Sequence, residues 1–327
     1  DLYCANSDAS FAHINCWSSM HIRLVVSLGG NAFARKDESM SMAGQFRFAA
    51  DTLAPLASLV RGETELLVTH GNGPQVGYIL TRVEEALGNA YKLPLEVCVA
   101  ESEGEIGYVL QQTLHNICAG QRPVATLLTQ VVVDAADPAF SRPTKPIGPW
   151  IEPSLANKLE ATNLPLVKDG AGRCRRVVPS PAPVRVVETP VIDKMLSLGV
   201  ITIAAGGGGI PVIEKNGRLE GVEAVVDKDL ATALLAIALG ADRLVLVTDV
   251  DGVYENFNSE NARRIESATP EILSSLAEQG HFAEGTMGPK VAAAVQFVLA
   301  TGNKAVICQP KDLEAALRGN AGTIVET

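Results

Sequence analysis

Short β-branched runs that stop at glycine turns, separated by longer segments of helical period, leave this chain few folds. The first run, residues 22–28, ends in Gly29-Gly30, and the second, 66–69, leads into Gly71-Asn72-Gly73. Further strands are predicted at 124–133, 200–204, 244–248 and 304–308. Between the runs, apolar residues recur at helical spacing over 46–60, 74–87, 95–118 and 291–299, with Pro55 marking a bend or boundary in the first. Buried strands alternating with helices predict an α/β fold with a mainly parallel sheet.

Composition narrows the function classes. A chain of 327 residues with 47% hydrophobic and 20% charged residues has a sizeable core and is not a disordered chain. Its most apolar stretch, 230–241, spans 12 positions, whereas a membrane-spanning helix needs about 20. A net charge of −10 and a pI near 5.1 argue against a nucleic-acid or anionic-membrane partner. Cysteines at 4, 16, 98, 118, 174 and 308 include no C-x-x-C pair, which fits a reducing, cytoplasmic setting. Residues 1–20 lack the period of the rest and the signal-peptide pattern. They are set apart as a poorly ordered N-terminal extension, and 21–327 as one domain.

Residues 134–185 break the rhythm. They hold 9 of the 18 prolines, and eight Lys/Arg against five Asp/Glu, a balance of +3 in an acidic chain. Proline this dense is excluded from central strands and helices. The expectation is a protruding, loop-rich insert with a basic face, acting as a lid rather than a solvated decoration.

Gly29-Gly30-Asn31, Gly71-Asn72-Gly73 and Gly206-Gly207-Gly208-Gly209 each follow a predicted strand. In an open parallel sheet such loops line the ligand crevice, and glycine lets backbone N–H groups approach an anion. The Walker A pattern is absent, since no Gly-Lys pair occurs. Gly71, Gly73 and Gly77 give G-x-G-x-x-x-G, one residue off the dinucleotide fingerprint, so nicotinamide binding stands as a weak rival. The histidines at 13, 21, 70, 115 and 281 show no metal-ligand spacing, and His70 borders a glycine turn, where it either fills space or touches substrate.

Three lysines stand beside glycine, proline or acid. Lys145 lies in Pro-Thr-Lys-Pro-Ile-Gly-Pro, Lys228 between Asp227 and Asp229, and Lys290 after Met287-Gly288-Pro289. The last two open helices, where a cation opposes the macrodipole unless an anion is held there too.

Together these motifs resemble the carbamate kinases of the amino acid kinase family. The resemblance runs from about Ile22 to the C-terminus and includes Ser-Leu-Gly-Gly-Asn-Ala (27–32), Gly-Asn-Gly-Pro-Gln-Val-Gly (71–77), Asp-Pro-Ala-Phe (137–140) and Pro-Thr-Lys-Pro-Ile-Gly-Pro (143–149). It continues through Arg-Arg-Val-Val-Pro-Ser-Pro (175–181), Ala-Gly-Gly-Gly-Gly-Ile-Pro-Val (205–212), Val-Asp-Lys-Asp (226–229), Thr-Asp-Val-Asp-Gly-Val (248–253) and Gly-Thr-Met-Gly-Pro-Lys (285–290). His70 stands where a small hydroxyl residue is common in the family, and Trp150 follows the lysine loop.

The resemblance implies a three-layer αβα sandwich and a homodimer. It implies reversible phosphoryl transfer between carbamoyl phosphate with MgADP and carbamate with MgATP. Catalytic roles are implied for Lys145, Asp227, Lys228 and Lys290. Gly29, Gly30, Asn31, Gly71, Asn72 and Gly73 would bind carbamate or carbamoyl phosphate in a half spanning 21–195, joined by Gly207 and Gly208 from beyond it. Thr248, Asp249, Tyr254, Met287 and Pro289 would bind ADP or ATP in a half spanning 196–327. No protein-held metal site is implied: Mg²⁺ would travel with the nucleotide, at most touching Asp227 through water. Other members of the wider family, such as acetylglutamate kinase, carry a lysine where this chain has Ser27; carbamate kinases likewise lack it, and Lys145 would replace it. Another family member acting on a different carboxylate or on UMP is the alternative, and a non-catalytic binding protein would be expected to lack these lysines.

Overall fold

Alternation along the central strands fixes the layers. The computed structural model describes residues 22–29, 41–60, 62–151, 165–170, 172–257, 259–283 and 285–327. The expectation for residues 1–20 lies outside the described residues. The strand Arg23–Leu28 sends Val25 into one apolar cluster and Leu24, Val26 and Leu28 into another. Glu65–His70 divides Leu67 from Leu66 and Val68 in the same way, and Arg243–Val247 divides Leu244 and Leu246 from Val245 and Val247. A strand apolar on both faces must be covered on both faces. Leu235 of the helix Lys228–Ala238 and Phe297 of Met287–Thr301 join one cluster. Leu53 of Met42–Leu53 and Leu110 of Leu95–Ile117 join the other. The result is a three-layer αβα sandwich.

The central sheet has eight strands in the order Ser267–Ala268, Thr323–Val325, Lys304–Cys308, Arg243–Val247, Arg23–Leu28, Glu65–His70, Ile201–Ile203 and Val124–Thr126. Neighbours are parallel except for Thr323–Val325 against Lys304–Cys308. Pro55 falls in a single 3₁₀ turn, Ala54–Leu56, that ends Met42–Leu53 before a short helix, Ala57–Val60. Ile201–Ile203 pairs beside Glu65–His70, so the chain is still on the first half of the sheet beyond residue 195. Among the described residues, no helix is long and apolar enough to cross a membrane.

Two expectations are corrected. The run 124–133 is not one strand. Val124–Thr126 closes the central sheet, and Gln130–Val133 enters a second sheet with Ile210–Lys215, Arg218–Gly221 and Pro183–Val186. The backbone leaves the central sheet at 127–129, where Leu127 N donates to Ile203 O and Thr129 N donates to a Glu103 carboxylate oxygen. Nor are the described residues of the insert loop alone. Lys145–Ile151, Cys174–Val178 and Leu166–Lys168 form a three-stranded antiparallel sheet. Pro146 and Pro149 are tolerated because their strand is an edge strand, and Pro183 because it opens one.

The basic character of the insert is spent largely within the fold. Arg173 pairs with Asp169, and Arg176 with Glu84 on the helix Gly73–Glu85. Arg175 donates to Gly148 O at 2.7 Å, and the guanidinium groups of Arg173 and Arg175 lie 5.5 and 5.9 Å from the Trp150 ring centre. An apolar cluster of Val76, Ile79, Leu80, Val99, Ile147 and Val178 glues the insert to the same helix. The tightest contact is backbone to backbone, since a methyl group at Gly77 would lie 1.9 Å from Gly148 Cα. The glycine that spoils the dinucleotide fingerprint therefore serves docking.

Replacing that glycine tests the seam. Gly77→Ala should destabilise the protein by about 1–3 kcal/mol, the usual cost of overpacking, and push the Lys145 strand outward. Urea unfolding at neutral pH reads the first effect. An unchanged unfolding midpoint would show that the insert is not docked there.

Candidate active site

The loops leaving the carboxyl ends of Arg23–Leu28, Glu65–His70, Ile201–Ile203 and Arg243–Val247 open on one edge of the sheet. There the structure gathers the three lysines around two carboxylates. Asp229, 3% exposed on the first turn of Lys228–Ala238, lies at the centre. Its Oδ1 accepts from Lys228 Nζ at 2.6 Å and its Oδ2 from Lys290 Nζ at 3.1 Å. Ser27 Oγ, at the end of the first strand, accepts from Lys228 Nζ at 2.8 Å and donates to Asp229 Oδ1 at 3.2 Å. Lys290 Nζ also donates to Thr286 O at 3.4 Å.

Asp227 completes the set with a divided role. Its Oδ1 caps the helix Lys228–Ala238, accepting from Asp229 N at 2.9 Å and Leu230 N at 3.4 Å. Its Oδ2 accepts from Lys145 Nζ at 2.5 Å. Lys145 is thus already over the site, although an open lid would leave it in solvent. The insert hands it there through Ile147, which is 1% exposed in the seam with the helix Gly73–Glu85.

The charges do not cancel. Three ammonium groups face two carboxylates, leaving one excess positive charge. Burial alone would raise the Asp229 carboxyl, but the Lys228 and Lys290 ammonium groups outweigh it and hold it at about 2. Burial pushes Lys228 below its ordinary value; Asp229 opposes that push and Lys290 adds to it. These two shifts agree physically. The buried Asp229 carboxylate is stabilised by two cations, while the cations compete for it, an arrangement that favours binding of an anion.

The glycine turns flank this cluster. Asn72 is buried and donates from Nδ2 to Ser102 Oγ at 2.8 Å. Gly207, at φ +65°, lies so close that a methyl group there would sit 2.0 Å from Asn72 Nδ2. Gly208 packs against Val226 O, one residue before Asp227, and Gly71 and Gly73 bracket Asn72 at the start of the helix Gly73–Glu85. Gly29 approaches Val247 O, while Gly30 and Asn31 lie outside the described residues. His70 is 1% exposed, its Nδ1 within hydrogen-bond distance of Gly71 O at 3.2 Å. Burial lowers it to about 4, so it is neutral at pH 7. It packs under Gly206, where it fills space.

The residues expected at the nucleotide lie on the neighbouring strand end and helix. Thr248 N donates to Cys308 O, and Thr248 Oγ1 donates to Asp249 Oδ1 at 3.3 Å. Tyr254 OH donates to Asp251 Oδ1 at 2.8 Å. Met287 and Pro289 are half-buried on the first turn of the helix that carries Lys290. Sequence reasoning missed Asp229 as the central carboxylate, although the Asp-Lys-Asp spacing was its signal. It also missed Ser102, whose place beneath Asn72 no motif marks.

Comparisons with known proteins identify the family. The profile of the Amino acid kinase family matches residues 23–309. A carbamate kinase of Pyrococcus horikoshii is 41% identical over 309 residues, covering 93% of this chain and 98% of that enzyme. One of Clostridium perfringens is 44% identical over 310 residues, covering 92% and 99%. The structure of carbamate kinase from Giardia lamblia bound to AMP-PNP superposes with a TM-score of 0.86 at 37% identity, covering 94% of this chain and 98% of that one. This chain belongs to the amino acid kinase family and, within it, to the carbamate kinases.

The buried trio makes a pH prediction. Asp229 titrates at about 2 against an ordinary 3.8. A folded-state value below the unfolded one gives stability that is full above about pH 4 and lost as pH falls toward about 2, on the order of 2 kcal/mol. Asp229→Asn should cost about 3–5 kcal/mol at pH 7, because it leaves two buried cations uncompensated. It should also remove this share of the acid sensitivity. Urea unfolding of both proteins at pH 7 and pH 3 checks it, and equal losses between the two pH values would refute it.

Proposed function

We propose that this chain transfers a phosphoryl group reversibly between carbamoyl phosphate and ADP, giving carbamate and ATP. The single observation that carries the reading is the convergence of Lys145, Lys228 and Lys290 on Asp227 and Asp229 at the strand ends, with one positive charge to spare. Phosphoryl transfer chiefly needs positioning and neutralisation of charge on the transferred group. Oxygen–phosphorus bonding to carbamate breaks as an ADP β-phosphate oxygen bonds to the same phosphorus. The departing carbamate is already an anion, so no acid or base is required. His70, buried and neutral, is accordingly not needed as an acid or a base.

In this reading Lys228 and Lys290 hold the transferred group, Asp229 keeps both ammonium groups aimed, and Lys145 reaches it from the insert. Gly29, Gly30, Asn31, Gly71, Asn72, Gly73, Gly207 and Gly208 take the carbamoyl end. Thr248, Asp249, Tyr254, Met287 and Pro289 take the nucleotide; that a nucleotide binds at all is supported by the AMP-PNP bound to the Giardia lamblia enzyme. The described residues do not fit a protein-held Mg²⁺. Both oxygens of Asp227 and both of Asp229 are already engaged, and among the described residues no group of three or more His, Cys, Asp or Glu could hold a metal. Mg²⁺ would enter on the nucleotide phosphates, and no step here is assigned to it.

The enzyme would act in the cytoplasm as a homodimer. Cys98, Cys118, Cys174 and Cys308 are buried free thiols, as suits a reducing compartment. The central sheet ends at Val124–Thr126, and Leu128 and Tyr108, 53% and 55% exposed, offer apolar surface beside that edge. Sedimentation equilibrium should give about twice the 34.4 kDa chain mass; a monomer at micromolar concentration would refute the dimer.

ATP formation from ADP and carbamoyl phosphate tests the reaction, with ATP consumption on acetylglutamate, aspartate and UMP as comparison. Lys290→Ala should lower kcat by about 2.7–4 kcal/mol in barrier, the cost of one preorganised donor, while the protein stays folded. Lys145→Ala should cut kcat far more than it weakens ADP binding. Normal turnover by either variant would overturn its assignment.

A further inference from the structure

Beneath the four-glycine turn runs a line of buried polar contacts to which the reaction itself assigns no role. Glu103, 1% exposed on the helix Leu95–Ile117, accepts from Thr129 N through Oε2 at 2.9 Å, while its Oε1 has no hydrogen-bond partner among the described residues. Thr129 is fully buried and holds both ends of the turn. Its Oγ1 accepts from Ala205 N at 2.9 Å, and its carbonyl oxygen accepts from Ile210 N at 2.8 Å. Its own hydroxyl proton goes to Leu127 O at 2.8 Å. Ala205 needs such a hold, because it sits at φ +50°, a left-handed conformation that a residue with a side chain adopts only under constraint.

The turn then meets the substrate side. Glu103 Cγ and the His70 ring flank Gly206, at 3.0 Å and 2.4 Å from where a methyl group would stand. Gly207 presses on the Asn72 carboxamide, whose Nδ2 is tied to Ser102, the neighbour of Glu103 on the same helix. Adjacent residues of one helix therefore fix Asn72 from two sides, Ser102 directly and Glu103 through Thr129 and the turn. Simple packing would be served by an apolar residue at 103, without stranding an oxygen out of water. What only a carbonyl-type oxygen supplies is the acceptor for Thr129 N.

We propose that Glu103 is a positioning residue for the carbamoyl end of the site, holding Thr129, Ala205 and the glycine turn so that the Asn72 carboxamide keeps one orientation. This rests on the reading of Asn72 and the turn as carbamoyl-binding. Burial raises the Glu103 carboxyl well above its ordinary value, against the Thr129 N–H and with Glu188. The uncharged form is thereby favoured, and Gln, with the same carbonyl oxygen and shape, is the conservative replacement.

The test compares Glu103→Ala, Glu103→Gln and Thr129→Val in the full chain. Glu103→Ala and Thr129→Val should raise KM for carbamoyl phosphate about tenfold or more, the scale of a small misplacement, and leave the ADP Kd within about twofold. Glu103→Gln should recover most of the loss. A parallel rise for both ligands, a loss of thermal stability with kinetics preserved, or a Gln variant no better than Ala would each overturn the proposal. Should Glu103→Ala fail to fold, Thr129→Val, which keeps the volume and removes the acceptor for Ala205 N together with the donor to Leu127 O, decides. The side-chain amide resonances of Asn72 in the ligand-free protein give a readout independent of substrate. They should shift in the Ala and Val variants and stay near the original position in the Gln variant, and unmoved resonances would sink the inference. A wild-type enzyme that makes no ATP from carbamoyl phosphate would overturn the reaction instead, leaving the Asn72 resonances to decide the role of Glu103.

Discussion

The arrangement turns on one buried carboxylate. Asp229 sits between two ammonium groups that come from different helices, and it does so at the carboxyl edge of the sheet. Removing either side from water is costly unless the other is present. The helix Lys228–Ala238 and the helix Met287–Thr301 therefore have to meet at that point, and the apolar packing of Leu235 and Phe297 behind them lets them do so. Ser27 gains its place from the same requirement. A hydroxyl there accepts from Lys228 without adding a fourth cation to a site already carrying an excess.

Much of the fold was legible because its signals are local. Strand alternation with both faces apolar, as at Leu24–Val25–Val26, can mean only two covering layers. The strand Lys304–Cys308 and the helix Leu95–Ile117 lie where periodicity puts them, to within a residue. The split at 127–129 was not legible, since a β-branched run reads the same whether it stays in one sheet or crosses to another. The order of strands in the sheet is likewise a matter of distant pairing, as for Ile201–Ile203 beside Glu65–His70.

The insert shows how composition misleads. Prolines and arginines counted along the chain suggest a loose, charged loop, but edge strands accept proline and the arginines find partners inside the fold. The three lysines were legible as unusual neighbours of glycine and acid. Their mutual distances were not, because they lie on segments separated by tens of residues. Asp229 was overlooked for a related reason. In a linear reading an acid beside a lysine is an ordinary neutralising neighbour, and only its burial and its second lysine make it the hub.

Asp227 carries a consequence of its own. One oxygen is fastened to the first turn of a helix and the other receives the Lys145 amine. The position of that amine is therefore referenced to the axis of Lys228–Ala238 as well as to the strand that delivers it. What the delivering segment has to supply is a lysine of adequate reach at the fixed oxygen. For the capping acid, the same atom pair sets the helix start and the reach of the lysine, and drift in either is felt by both.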